Sequence, residues 1–220
     1  TGLPCNTDFN GPSQEGIGRF QVNVRNGVRQ TAATSFLKPA LKRASLELVT
    51  HALAERLLLD GERVTGVQYR HKDKVLRVAA RRSVILCGGA INSPQLLELS
   101  GIGNPDVLGP LGLATQHVLP GVGENLQDHL TINVQQGLRH LKTFAEETAP
   151  LGMLRNLLHY ALKRDGLLIH PACQAGAFFR TTPDVERPNA QIHFTPGAGR
   201  LNARGNMSTV PGTTATVCNL

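Results

Sequence analysis

The stretch LELVTHALAERLLLDGERVTGVQYRHKDKVLRVAA, residues 46–80, constrains the fold of this chain more than any other. Asp60-Gly61 interrupts it after an apolar run, and glycine can take the positive φ that a tight hairpin needs. HKDK at 71–74 marks a second turn. The segments VTGVQYR and KVLRVAA are rich in branched side chains and read as strands. Connections this short join antiparallel neighbours only. The region is therefore predicted to be a β meander.

The next stretch, RRSVILCGGAINSPQLLELSGIG (81–103), changes character. Val84-Ile85-Leu86 has the continuous apolar pattern of a buried strand. Gly88-Gly89 ends it and permits positive φ or close backbone approach. Ser93-Pro94 suits an N-cap and first helical position, since the hydroxyl accepts a free N–H and proline has none to leave unpaired. Leu96, Leu97 and Leu99 give the helix a buried side, and Ser100-Gly101 is its stop. A strand–turn–helix unit can bring a helix N-terminus near an anion. It can equally be a compact connection, which is the commoner use.

Elsewhere, Phe20, Val22 and Val24 alternate before a hairpin turn at Asn26-Gly27. TAATSFLKPALKR is predicted as a short helix with Pro39 near its end. Leu113 to Gly123 is loop-like and is the candidate crossing between layers. HLTINVQQGL, CQAGAFFRT, NAQIHFTP and TTATVCNL read as strands. In PLGMLRNLLHYALKRDG, Leu151, Leu154, Leu157, Leu158, Ala161 and Leu162 share one helical side. Burial of that side on a sheet is the expected outcome; Arg155, Lys163 and Arg164 leave a membrane-surface helix as the other reading. The fold class is mixed α/β.

Several functions are excluded or unsupported. No apolar run is long enough to span a bilayer, and the polar N-terminus is no signal peptide. The net charge of +7 comes from scattered basic residues with acids interleaved. With no Trp and two Tyr, stacking platforms are scarce, so nucleic acid is not an expected partner. Cys5, Cys87, Cys173 and Cys218 lack metal-ligand spacing and read as reduced, separately buried thiols in a cytoplasmic setting. GIGRFQ, GIGNPD, GVGENL and GAGRLN contain Gly-x-Gly, but none completes Gly-x-Gly-x-x-Gly between a strand and a helix. No nucleophile elbow or paired zinc-ligand histidines occur. Asp128-His129 is adjacent in sequence, which in a strand puts the side chains on opposite faces. His193 sits in an alternating strand and faces either a cavity or the core, the latter being commoner.

The order of the motifs carries a resemblance. GGAINSPQLLELSGIG strongly resembles the second signature of the glucose–methanol–choline oxidoreductase family. DFNGPSQEGIGRFQVNVRNGVRQTAATSFLKPALKR and VTHALAERLLLDGERVTGVQYR precede it, and LPGVGENLQDHL follows it, in that family's order. AGAFFRT and PNAQIHFTP resemble its substrate-domain strands. The resemblance implies an FAD-dependent enzyme that oxidises a primary alcohol, choline-like or other, by hydride transfer to flavin. It further implies part of a Rossmann-like FAD domain at 1–129, with a substrate-side hairpin segment near the N-terminus. Residues 130–220 would be part of a substrate domain on a mixed or antiparallel sheet with helices on one face. Gly88, Gly89 and Ala90 become cofactor-proximal by resemblance. Ala54 stands where the family often has valine, with a backbone contact to adenine, and ASLEL replaces a Pro-Asn-Leu pattern.

The family's opening Gly-x-Gly-x-x-Gly and its terminal histidine with a His or Asn partner are not in these residues. The chain therefore reads as the middle of such an enzyme, with no catalytic residue and no metal site assigned. Taken alone it is expected neither to retain FAD nor to turn over alcohol. The electron acceptor is open, as is peripheral membrane association of the parent enzyme. The alternative is a non-catalytic interaction module descended from such an enzyme.

Overall fold

The computed structural model describes residues 2–201 and 207–220; the end of the GAGRLN run lies outside the described residues. In chain order the elements are β1 (Gly16–Arg19), β2 (Val24–Arg25), β3 (Val28–Arg29), a π-helical turn (Ala33–Leu37) leading into α1 (Lys38–Ala40), β4 (Ala52–Asp60), β5 (Arg63–His71), β6 (Lys74–Ala79), α2 (Gly89–Leu99), β7 (Ile102–Gly103), α3 (Pro105–Leu108) and β8 (His117–Val118). There follow β9 (Thr131–Gly137), α4 (Phe144–Glu147), α5 (Pro150–Lys163), β10 (Ala175–Phe179), β11 (Ala190–Thr195), β12 (Ala198–Leu201), β13 (Met207–Val210) and β14 (Gly212–Asn219). The architecture is mixed α/β, dominated by antiparallel pairing. The chain divides into two compact units, residues 43–128 and residues 1–42 with 129–220.

In the unit 43–128, β4, β5 and β6 form the predicted meander. Gly61 takes φ +56° in the first turn, and Lys72 and Asp73 both take positive φ in the second, the conformation of a two-residue primed turn. Gln68, buried on β5, donates to the Glu55 carboxylate and accepts from Arg77. The meander joins α2 through Ser100, whose buried hydroxyl accepts the Leu57 N–H and donates to the Leu96 carbonyl. Leu108 is the largest fully buried side chain among the described residues.

Three expectations for this unit are corrected. Val84–Leu86 is extended but has no ladder partner among the described residues, and Ile85 is 81% exposed. α2 starts at Gly89, so Ser93 and Pro94 lie inside it rather than at its start. The Ser93 hydroxyl still acts as a local cap by accepting the Gly88 N–H at 3.0 Å. The Leu113–Gly123 loop lies within this unit, and its β8 pairs in parallel with β7.

The unit formed by 1–42 and 129–220 is built on a five-stranded antiparallel sheet in the order β1-β10-β11-β14-β9. All four strands read from the second half of the sequence are present, and the N-terminal β1 is added beside β10, with Gly18 opposite Gly176. Asn26-Gly27 makes the expected hairpin, both residues at positive φ. Its tip docks on the end of α5, where the Tyr160 hydroxyl donates to the Gly27 carbonyl. A Cβ on Gly27 would lie 2.3 Å from the Arg164 carbonyl oxygen. α4 begins with a capping box, Thr143 and Glu146 exchanging bonds, from a T-x-x-E signature overlooked in the sequence.

Two expectations fail here. The leucine side of α5 is not buried on the sheet: Leu151, Leu154, Leu157, Leu158 and Leu162 are 51–81% exposed. The helix packs through Gly152, Met153, Asn156 and Tyr160 on its other side. Nor are the thiols uniformly buried. Cys218 is, but Cys5 is exposed here and Cys87 is exposed in the other unit.

The hairpin–helix contact gives a test. Gly27→Ala combines left-handed strain with a backbone clash, whereas Gly61→Ala adds only the strain, since nothing lies within 4 Å of its Cβ position. Urea unfolding should show a loss of about 1 kcal/mol for Gly61→Ala and more than twice that for Gly27→Ala. Equal losses would mean that the hairpin does not dock on the helix.

Candidate functional site

The four residues singled out as cofactor-proximal all lie in the unit 43–128. Ala54 and Gly88, distant in sequence, line one cavity of about 470 Å³. Its other walls are mostly apolar, including Leu53, Val67, Ile85, Cys87 and Leu96, with Asn92, Ser93 and Gln95 as polar lining. Ala54 sits on β4, an edge strand of its sheet with no strand on its outer side, where Ser100 takes up the Leu57 N–H. Ala90 lines a different cavity, of about 670 Å³, with Ser93, Leu97, Val122 and Gly123. Gly89 lines neither of these two cavities. A Cβ there would meet nothing within 4 Å; its φ of +80° is what favours glycine. The Ala54–Gly88 slot suits a flat apolar ring presented edge-on to main chain. It is too small for a whole dinucleotide, and no Gly-x-Gly-x-x-Gly backbone adjoins it to hold a pyrophosphate.

A second candidate site lies on the five-stranded sheet. Phe9, Asn10, Phe20, Gln21, Cys173, Phe178, Gln191 and His193 are among the residues lining a cavity of about 430 Å³. The sheet register explains its floor. Gly176 is opposite His193, and Phe178 is opposite Gln191, so these four share one face. Gly176 has no side chain to hold off the Phe20 ring; a Cβ would lie 2.3 Å from its Cζ. Phe20 can therefore lie across β10 and reach His193, with ring centroids 5.4 Å apart. Phe9 packs against both Phe20 and Phe178, at 5.6 and 5.0 Å. The Cys173 thiol meets the Thr195 hydroxyl at 3.1 Å.

Of this cavity the sequence singled out only His193, with the core as its commoner fate. The structure places it half-buried at the cavity wall. Phe9, Phe20 and Gln191 were missed because they converge from strands and loops far apart in sequence. The one local clue was Gly176 inside a strand, which marks close approach by another group.

The electrostatics are one-sided. Desolvation by burial, and secondarily the nearby His129, hold the His193 imidazole below its ordinary value of 6.5. It is therefore neutral at pH 7, with one ring nitrogen able to accept a proton or hydrogen bond. Among the described residues no carboxylate lines the cavity. Asp8 approaches it through two lining residues: the Gln21 amide and the Asn10 main-chain N–H each donate to its carboxylate at 2.9 Å. The unit 43–128 balances nine basic against nine acidic residues, so the whole formal excess of +7 falls in the unit holding this cavity. Among the described residues no group of three or more His, Cys, Asp or Glu could hold a metal, and no helix is long and apolar enough to cross a membrane.

The chain belongs to the GMC oxidoreductase family, whose model matches residues 1–131. It is 42% identical over 195 residues to the choline dehydrogenase of human mitochondria, covering 89% of this chain and 33% of that protein. It is 38% identical over 204 residues to an alcohol dehydrogenase [acceptor] of Pseudomonas putida, covering 88% of this chain and 36% of that one. The crystal structure of pyridoxine 4-oxidase from Mesorbium loti superimposes with a TM-score of 0.77 at 25% identity, covering 99% of this chain and 39% of that one. The chain thus spans about a third of the length of the curated relatives it matches.

The lowered His193 value sets a pH dependence. Folding favours the neutral imidazole, so the contribution is fully present above 6.5 and is lost as pH falls through the lower folded value. Stability measured against pH should decline on the acid side of 6.5, and His193→Gln should flatten that part of the curve. An NMR titration of His193 with its midpoint above 6.5 would contradict the burial argument.

Proposed function

We propose that this chain is part of an FAD-dependent oxidoreductase acting on CH–OH donors, and that it supplies an alcohol-binding face together with one side of the cofactor site. The observation that carries this reading is the uncharged cavity around His193, in a chain that belongs to the GMC oxidoreductase family. Residues 1–129 are assigned mainly to the cofactor side and 130–220 to the substrate side. β1 is assigned to the substrate side because it pairs with β10.

FAD, when bound, supplies the hydride acceptor. The residues of this chain bind and orient. The Ala54 backbone and Gly88 would flank a ring of the cofactor; Gly89 holds the turn at positive φ, and Ala90 opens α2. The neutral His193 accepts a hydrogen bond from the alcohol hydroxyl, while Phe9, Phe20 and Phe178 enclose its carbon skeleton and exclude water. No residue of the chain is assigned as the base that takes the hydroxyl proton. The 220-residue chain by itself is proposed not to turn over, because the main-chain donors that anchor a pyrophosphate are not among its motifs.

The lining also favours one substrate class. A quaternary ammonium is best held over Trp or Tyr, or beside an acid. This cavity offers phenylalanines, amides and a neutral imidazole, in a unit of formal charge +7. Neutral apolar primary alcohols suit it better than choline, although a relative is named for choline.

The protein expressed from its complete reading frame is expected to be yellow, and neutral primary alcohols should bleach it anaerobically. We expect kcat/KM for benzyl alcohol or 1-octanol to exceed that for choline by at least about tenfold, a difference of about 1.4 kcal/mol. Phe20→Ala should raise KM more than it lowers kcat. A colourless protein that no alcohol changes would end the oxidoreductase reading; bleaching with choline preferred would end only the substrate assignment.

A further inference from the structure

We propose that Gln191 is a specificity-determining residue, selecting primary alcohols that carry a second, neutral hydrogen-bonding group. The inference deepens the alcohol-binding assignment of the cavity around His193 and rests on it. Its starting point is a buried amide with nothing to bond. Gln191 is only 8% exposed, covered by this chain's own residues. Its side chain makes no hydrogen bond among the described residues. Nor is the amide sealed in: among the described residues His71 Nδ1 is the one enclosed side-chain polar atom without a bond. The Gln191 amide therefore opens on the cavity that it lines. An amide brings two N–H donors and a carbonyl acceptor. Leaving it unpaired carries a penalty that a ligand can remove by bonding to it.

The other amides of the lining do not compete for that role. Asn10 donates to the Gln21 carbonyl and Gln21 donates to the Asp8 carboxylate, so these two hold each other. Gln14 is exposed to solvent.

The strand β11 sets the spacing. Gln191 and His193 are two residues apart, so they share a face and stand about 7 Å from one another. Phe178 lies opposite Gln191, and Gly176, over which Phe20 reaches, lies opposite His193. Phe9 touches both rings. A substrate ring held among the three phenylalanines with its carbinol at His193 turns its far end to Gln191. The separation is close to that between the carbinol oxygen and a para substituent of benzyl alcohol. The lining also decides the kind of group. Among the described residues it has no Lys or Arg to pair an anion and no Asp or Glu to pair a cation. An amide that both donates and accepts suits a hydroxyl or a carbonyl. A site that hydrogen-bonds a substrate hydroxyl discriminates against the analogue lacking it, because its own buried group is then left unpaired.

The test uses the protein expressed from its complete reading frame and a matched pair, 4-hydroxybenzyl alcohol and 4-methylbenzyl alcohol, whose para groups are nearly equal in size. Wild type should favour the hydroxy compound by at least about tenfold in kcat/KM. Gln191→Met keeps the volume and removes the amide, and should cut that ratio by at least about tenfold. Comparing the ratio between the two proteins cancels the electronic effect of the para group on hydride transfer. Because the amide has no protein partner to lose, Gln191→Met should melt no lower than wild type. Equal kcat/KM for the two alcohols in wild type leaves the oxidoreductase reading standing and overturns the subsite. A Gln191→Met protein that keeps the preference overturns it too. So does one that melts early or fails to fold, since the amide is then bonded within the complete protein. If no alcohol bleaches the protein, the oxidoreductase reading fails separately. The subsite then stands if 4-hydroxybenzyl alcohol raises the wild-type melting temperature more than 4-methylbenzyl alcohol does, and falls if it does not.

Discussion

The pairing of β1 with β10 is the contact on which the candidate substrate face depends. It brings residues 16–19 against residues 175–178, a closure of more than 150 positions that loop entropy opposes. Local pattern could not supply it; main-chain bonds and the aromatic cluster beneath them do. Phe9 and Phe20 flank β1 in sequence, and only this closure sets them against Phe178 and His193. The same closure leaves residues 43–128 as an insertion between the two parts of one sheet-based unit. The two candidate sites therefore belong to separately built bodies within one chain.

Legibility in the sequence followed the range of the interaction. The Asp60-Gly61, HKDK and Asn26-Gly27 turns were readable because the dihedral requirement resides in the turn residues themselves. The strands at 131–137, 175–179, 190–195 and 212–219 were readable from composition, but their spatial order was not. Periodicity identified the leucine side of α5 and could not say what faces it. Ser93-Pro94 misled because proline is tolerated in the first turn of a helix generally, and α2 already begins at Gly89. Ala54 and Gly88 were joined by a family resemblance, and the fold brings them to one cavity by packing α2 against the end of the meander through Ser100.

The apolar patterns that failed share a cause visible in the surface area. Two separate folded bodies of about 14 and 9 kDa would together expose about 12,000 Å². This chain exposes 16604 Å². Val84–Leu86 has the composition of a buried strand and no paired strand on either side among the described residues. β6 likewise leaves Val75, Leu76 and Val78 exposed. The sequence reported the chemistry of these faces correctly. A pattern specifies which side seeks burial; the burying surface has to come from somewhere else.

Specificity within this family is then a question for individual side chains rather than overall similarity. A relative named for choline and one named for an alcohol stand almost equally close, at 42% and 38% identity. The family-model match itself stops at residue 131, while Cys173, Phe178, Gln191 and His193 lie beyond it. A pocket's preference for a cation or a neutral guest is set by a few atoms, since a single acid against the ammonium outweighs many uniform contacts. On the face proposed here to bind the alcohol, the lining has aromatic rings, amides and an imidazole whose pKa burial lowers. The depressed His193 value and the lack of a lining carboxylate point the same way: an acid beside the imidazole would have drawn its pKa upward, and the same acid is what a quaternary ammonium would have needed.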